Sequence, residues 1–112
     1  MKLLTAVVQQ SRVEEVRAAL VSLGVRGMTI AEVRGCGRQQ GHTEIYRGAE
    51  YTVDVVDKTR IDVLVDDAEI DEVVRAVVSA ARSGNVGDGK VWVTPVDSVV
   101  RVRTGETDER AV

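Results

Sequence analysis

The chain has 112 residues, the size of one ordinary domain, with 15 Lys and Arg against 18 Asp and Glu and a net charge of −3. That balance argues against a general polyanion-binding domain, which carries a basic excess. One Cys and one His exclude an intrachain disulfide and a zinc site within one chain. No apolar run reaches the roughly 18 residues of a membrane span.

The N-terminus lacks the long apolar region of a signal peptide, so the expectation is a cytoplasmic protein. Hydrophobic residues make up 44% of the chain but aromatics only 3%, with no Phe, so Val, Ile, Leu and Ala must build the core. So small a domain buries a modest fraction of its surface, which favours oligomerisation.

"KLLTAVVQ", Lys2 to Gln9, is short, apolar and β-prone and predicts a strand. Ser11 and Glu14 have the spacing of a capping box. Val13, Val16, Ala19, Leu20 and Leu23 then recur at helical spacing up to Gly24, a C-cap candidate. "MTIAEV", Met28 to Val33, predicts a second strand.

A long polar segment follows, and then the order repeats. Arg60 to Val65 predicts a strand. Asp66 with Glu69 can cap a helix, whose apolar stripe runs from Ile70 to Ala81 before Gly84 stops it. "KVWVTPV" and "SVVRVR" read as strand material, with Pro95 marking an edge or bend. The charged end "TDERAV" is expected to fray. Two βαβ halves make an α+β, ferredoxin-like βαβ–βαβ sandwich, an antiparallel sheet with both helices on one face, in a single domain spanning 1–112.

Three stretches can hold an anion. "GCGRQQG", Gly35 to Gly41, follows a strand; its glycines let backbone N–H groups approach an anion, and Arg38 can make a bidentate phosphate contact. Alone, it reads equally well as a glycine turn entering a loop. "GDGK", Gly87 to Lys90, adds a point charge at Lys90, although Asp88-Gly89 alone reads first as a tight turn.

In "RVRTGE", Arg101 and Arg103 stand two apart on an expected strand and so share a face, either solvated or turned to a polyphosphate. Together Arg38, Lys90, Arg101 and Arg103 can neutralise a triphosphate. The Walker pattern GxxxxGK[ST] is absent.

The segment from about Gly37 to Lys58 carries both tyrosines, Tyr46 and Tyr51. Loops beyond roughly 12–15 residues in compact domains are usually functional or disordered, and here a partner-binding or modifiable loop is favoured. His42 reads as a solvated loop residue, Cys36 as a small packing residue, and Trp92 as core or subunit interface. No nucleophile–base pair can be assembled.

"GCGRQQGHTEIYRGAEYTVD" and "GDGKVWVTPVDSVVRVRTGE" resemble the two signature regions of the PII nitrogen-regulatory signal-transduction proteins, and the resemblance runs over the whole chain. It implies a homotrimer that binds ATP or ADP in clefts between subunits, with 2-oxoglutarate and Mg beside ATP. The segment of about 37–58 would be the partner-binding T-loop, and 105–112 the C-terminal tail.

Tyr51 matches a tyrosine that many members carry as a uridylylation or adenylylation site. Implied partners are an ammonium transporter, a nucleotidyltransferase acting on Tyr51, and regulators of glutamine synthetase or nitrogen transcription. No direct nucleic-acid contact is implied, and membranes are met only through the transporter.

Carried over by position, Thr29, Asp62 and Leu64 would lie near base and ribose, and Gly37 and Arg38 would meet the nucleotide. Gly87, Asp88, Gly89 and Lys90 would cradle phosphates, completed by Arg101 and Arg103. Gln39 would ligate Mg. Gln39, Gln40 and Gly41 would offer backbone donors to 2-oxoglutarate, and Lys58 would pair with its carboxylate.

The chain departs from the family's usual residues at Gln9, Gln10, Ser11, Gln40, Asp57 and Asp62, and Asp57 beside Lys58 is expected to make the 2-oxoglutarate pocket less positive. The resemblance implies a regulator and not an enzyme. The alternatives are a slow ATPase or a divergent paralogue that senses adenylate energy state only.

Overall fold

The computed structural model describes residues 1–36, 42–46, 49–53 and 55–112. Strand β1, Lys2–Val8, leads through a 3₁₀ turn at Gln10–Arg12 into helix α1, Val13–Ser22, and then strand β2, Thr29–Cys36. Strands β3, His42–Tyr46, and β4, Ala49–Val53, pair with each other. Strand β5, Val55–Val65, helix α2, Ile70–Ala81, and strand β6, Gly89–Pro95, complete the regular elements.

The main sheet runs β2-β5-β1-β6 with every neighbouring pair antiparallel. Each helix therefore connects two strands that have a third between them, which is the ferredoxin-like arrangement expected.

Alternation along the strands decides the faces. Leu4, Ala6 and Val8 of β1 and Ile61, Val63 and Val65 of β5 turn to the helices and are buried. Val16 and Leu20 of α1 and Val73, Val77 and Ala81 of α2 close the same core. It is aliphatic, as the lack of Phe requires. Thr5, Asp62, Leu64 and Trp92 share the opposite parity, since Thr5 pairs with Asp62 on one side and Trp92 on the other.

Trp92 is 43% exposed and belongs to that open face, so the core alternative for it is wrong. Cys36, the last residue of β2, is exposed and does not pack inside.

Neither expected capping box forms. The Gln10–Arg12 turn puts Arg12 at the N-cap of α1 without a side-chain cap, and Glu14 turns instead to Arg17 at 2.9 Å. At α2, Asp66 contributes its backbone carbonyl to the Glu69 N–H at 3.0 Å. Acidic first turns, Glu14 and Glu15 in α1 and Asp71 and Glu72 in α2, complement the helix dipoles in place of caps. The stops are as expected: Gly24 has φ +86° and Gly84 φ +89°.

The largest departures are at the loop and the tail. β2 and β5 stay paired as far as Cys36 and Val55, so the strand expected from Arg60 begins five residues earlier, inside the segment read as loop. An ion pair at 3.5 Å between exposed, cross-strand Arg34 and Asp57 spans this stem. The stem mixes Val55 and Val56 with Asp57 and Lys58, so its pairing left no clear apolar–polar alternation in the sequence.

Ser98 to Arg103 is not a strand. β6 ends at Pro95, which has no N–H to continue a ladder, and Val100 makes a single bridge to Thr107. The chain turns back at Arg101, whose N–H donates to the Glu106 carbonyl and whose carbonyl accepts from Gly105, both at 2.8 Å. The tail expected to fray is pinned: the Asp108 N–H reaches the Val99 carbonyl at 2.9 Å and Asp108–Ala111 forms a 3₁₀ turn.

Candidate functional site

Thr29, Asp62, Leu64 and Arg101 line one cavity of about 620 Å³, closed at one side by Ala111 and Val112. Pairing puts them there: Thr29 of β2 lies across from Asp62 of β5, and Leu64 is two residues further on the same face. Asp62 accepts from the Thr5 hydroxyl at 2.7 Å and from Arg60 Nε at 3.0 Å. Burial alone would raise its pKa, but the hydrogen bonds from Arg60 and Thr5 and the guanidinium charge outweigh burial and hold it below the usual carboxylate range. A carboxylate fixed on an open sheet face can accept hydrogen bonds from a hydroxylated ligand.

Gly87 to Lys90 form a separate turn at the start of β6. Gly87 has φ +102° and Gly89 φ +103°. A Cβ on Gly89 would stand 1.8 Å from the Val7 carbonyl oxygen, so only glycine lets the turn lie against β1. Lys90 follows, exposed, opposite Val7.

The Asp88 carboxylate is turned inward to its own loop. It accepts from the Ser83 and Gly84 N–H groups, both at 2.8 Å, from the Ser83 hydroxyl, and from Gln9 Nε2 at 3.0 Å. The side-chain and backbone bonds from Ser83 lead in holding its pKa low.

Lys58 is buried, 6% exposed, and its Nζ donates to the Gly87 carbonyl. It thus ties the β5 end of the loop stem to the Gly87–Lys90 turn. Asp57 points to the other face and pairs with Arg34 at 3.5 Å.

Arg101 and Arg103 do not share a strand face, because they sit in a turn; Arg101 pairs with Glu106 at 3.3 Å and Arg103 is exposed. Gly37, Arg38, Gln39, Gln40 and Gly41 lie outside the described residues. Tyr51 lies in β4, in register with Glu44.

The structure therefore brings together Thr29, Asp62, Leu64 and Arg101 at one place and Lys58 with Gly87–Lys90 at another. Sequence reasoning missed Thr5 and Arg60, which hold Asp62, and Ser83 and Gln9, which hold Asp88. Arg60 alone left a signal, being two residues from Asp62 on the same strand. Among the described residues no three His, Cys, Asp or Glu stand close enough to hold a metal, and no helix is long and apolar enough to cross a membrane.

The family model described as nitrogen regulatory protein P-II matches residues 1–106. The chain belongs to the P-II family. It is 53% identical to nitrogen regulatory protein P-II of Synechocystis sp. and 48% identical to that of Nostoc punctiforme, in each case over all of both chains. It is 49% identical to nitrogen regulatory protein GlnK of Escherichia coli K12, again over all of both chains. These are names of regulators, in keeping with the regulator expected from the sequence.

Proposed function

We propose that this P-II family member binds ATP or ADP, with Mg, together with 2-oxoglutarate, in clefts between three copies of the chain, and reports the bound state to partners through residues 37–58. The observation that carries this reading is the separation of two incomplete half-sites. Thr29, Asp62, Leu64 and Arg101 surround an open cavity at one end of the sheet's open face. The Gly87–Lys90 turn lies against Val7, four residues along β1 from Leu3, or about 13 Å at the strand rise.

A base and ribose fit the first half and a phosphate chain fits the second. One chain leaves both open, and a neighbouring copy can close each. Arg38 and Arg103 complete the anion site in this arrangement, with backbone groups of Gly37 beside them.

Mg would be held chiefly by phosphate oxygens, with the Gln39 side-chain oxygen added. The described residues offer no acidic cage, and Mg commonly relies on few protein ligands. Bound there, it would neutralise phosphate charge.

Lys58 is the link to the loop. Its Nζ rests on the Gly87 carbonyl and can instead pair with a 2-oxoglutarate carboxylate, while backbone N–H groups of Gln39, Gln40 and Gly41 take the rest of that ligand. Each ligand set then favours one geometry of the loop base, and partners are selected by differential affinity. Such partners would be an ammonium transporter and regulators of glutamine synthetase or nitrogen transcription, in the cytoplasm. A nucleotidyltransferase acting on Tyr51 would add bulk and charge to the same loop.

Calorimetric titration with ATP and Mg, followed by 2-oxoglutarate, tests the reading. It expects 2-oxoglutarate to bind only to the ATP-loaded protein. ATP binding without a 2-oxoglutarate response would reduce the protein to an adenylate sensor, and no nucleotide binding would overturn the site altogether.

A further inference from the structure

Asp88 poses a chemical problem within that site. It is an anion in the middle of a turn offered to phosphates, and a carboxylate is an acceptor only. It cannot donate to phosphate oxygens, and its charge opposes theirs. Its four contacts resolve the problem. Oδ1 accepts from Gln9 Nε2 at 3.0 Å and from the Ser83 hydroxyl, and Oδ2 accepts from the Ser83 and Gly84 N–H groups at 2.8 Å each.

Two carboxylate oxygens offer about four lone-pair sites, so every site is used within the protein. The contacts join three pieces of chain: the residues just after α2, the glycine turn itself, and the end of β1. Gly87 and Gly89, on either side of Asp88, both need positive φ, a conformation with little intrinsic preference to persist unaided.

We infer that Asp88 is a positioning residue, which together with Ser83 and Gln9 fixes the Gly87–Lys90 backbone in the shape that receives phosphate without touching the phosphate itself. This rests on the nucleotide site proposed above. Gln9 is one of the positions at which a departure from the family's usual residues is expected from the sequence. Its amide donates to Asp88, and its Oε1 accepts from Ser11 Oγ at 3.5 Å, so the departures at the end of β1 help hold the turn.

In Asp88→Asn an NH₂ must face N–H donors or replace one accepting oxygen. The inference requires ATP affinity to fall about tenfold, the scale of losing one charge-assisted hydrogen bond. The Gln9→Ala variant should lose about threefold, as one partner of four is removed. Thermal unfolding without nucleotide should change little for Gln9→Ala, because only one half-buried hydrogen bond between neutral amide and carboxylate is lost.

The decisive measurement is a cycle of ATP dissociation constants for wild type, Ser83→Ala, Asp88→Ala and the double variant. If Asp88 acts through Ser83, the double variant loses clearly less than the product of the single losses. Independent, multiplying losses would mean that Asp88 acts on the ligand or its metal directly and would overturn the inference. So would unchanged ATP affinity in Asp88→Asn and Gln9→Ala. If the wild-type protein itself binds no ATP, the proposed function fails first and the inference falls with it.

Discussion

Gly89 is constrained both by its backbone angle and by what stands next to it. Its φ is +103°, and the position of an added Cβ is already taken by the Val7 backbone. Backbone cannot move aside as a flexible side chain can. Gly89→Ala is therefore expected to destabilise the fold by about 2–4 kcal/mol, measured by denaturant unfolding, and to weaken ATP binding by displacing the turn.

Gly105, also at positive φ, has open space around it, so the same substitution there meets backbone strain alone. Asp62 makes a different prediction. Its carboxyl is held below the usual range in the folded state by Arg60 and Thr5, against the effect of burial. A depressed folded pKa means stability that is present above the unfolded pKa and lost as pH falls through the folded one. Wild type should lose more stability than Asp62→Asn on acidification below about pH 4, followed by thermal unfolding across that range.

Among the elements, α1 shows how burial sorts neighbouring apolar residues. Leu20 is 0% exposed and Val21 is 52% exposed. Leu20→Ala should cost about 2–5 kcal/mol by leaving a cavity in the core that α1 shares with α2. Val21→Ala should stay within about 0.5 kcal/mol, and equal effects in denaturant unfolding would contradict this placement of the core.

The β2–β5 stem is held differently. None of its residues from Val55 to Asp57 is buried, and its Arg34–Asp57 pair is exposed. Such a pair adds little stability, so pairing there rests on the ladder continuing from the buried part of β5. Lys58 anchors that ladder at its buried limit and is also the element's connection to the Gly87–Lys90 turn.

For the whole molecule, the open face of the sheet is the outstanding feature. One face is sealed by two helices, while the other presents Leu3, Val7, Leu64 and Trp92. An exposed Trp beside aliphatic side chains suits a face that a second copy covers. The proposed trimer predicts a solution mass of three 12.1 kDa chains. It further predicts that Trp92→Glu shifts the protein toward smaller species in sedimentation analysis while the helix signal in circular dichroism is kept. A wild-type monomer would remove the clefts on which the proposed site depends.

The sequence alone determined the two βαβ halves, the aliphatic core and the glycine stops at Gly24 and Gly84. These follow from local period and from the special backbone freedom of glycine, both readable one segment at a time. The glycine turn at Gly87–Lys90 was legible for the same reason.

The tertiary structure decided what depended on partners distant in sequence. It removed the strand at Ser98–Arg103 and lengthened β5 back to Val55. It also gave Asp88 to Ser83 and Gln9, and placed Lys58 on Gly87 and Arg101 at one cavity with Thr29. Polar contacts between segments leave no period in a sequence, because a hydrogen bond needs one donor and one acceptor in place and no repeating pattern around them.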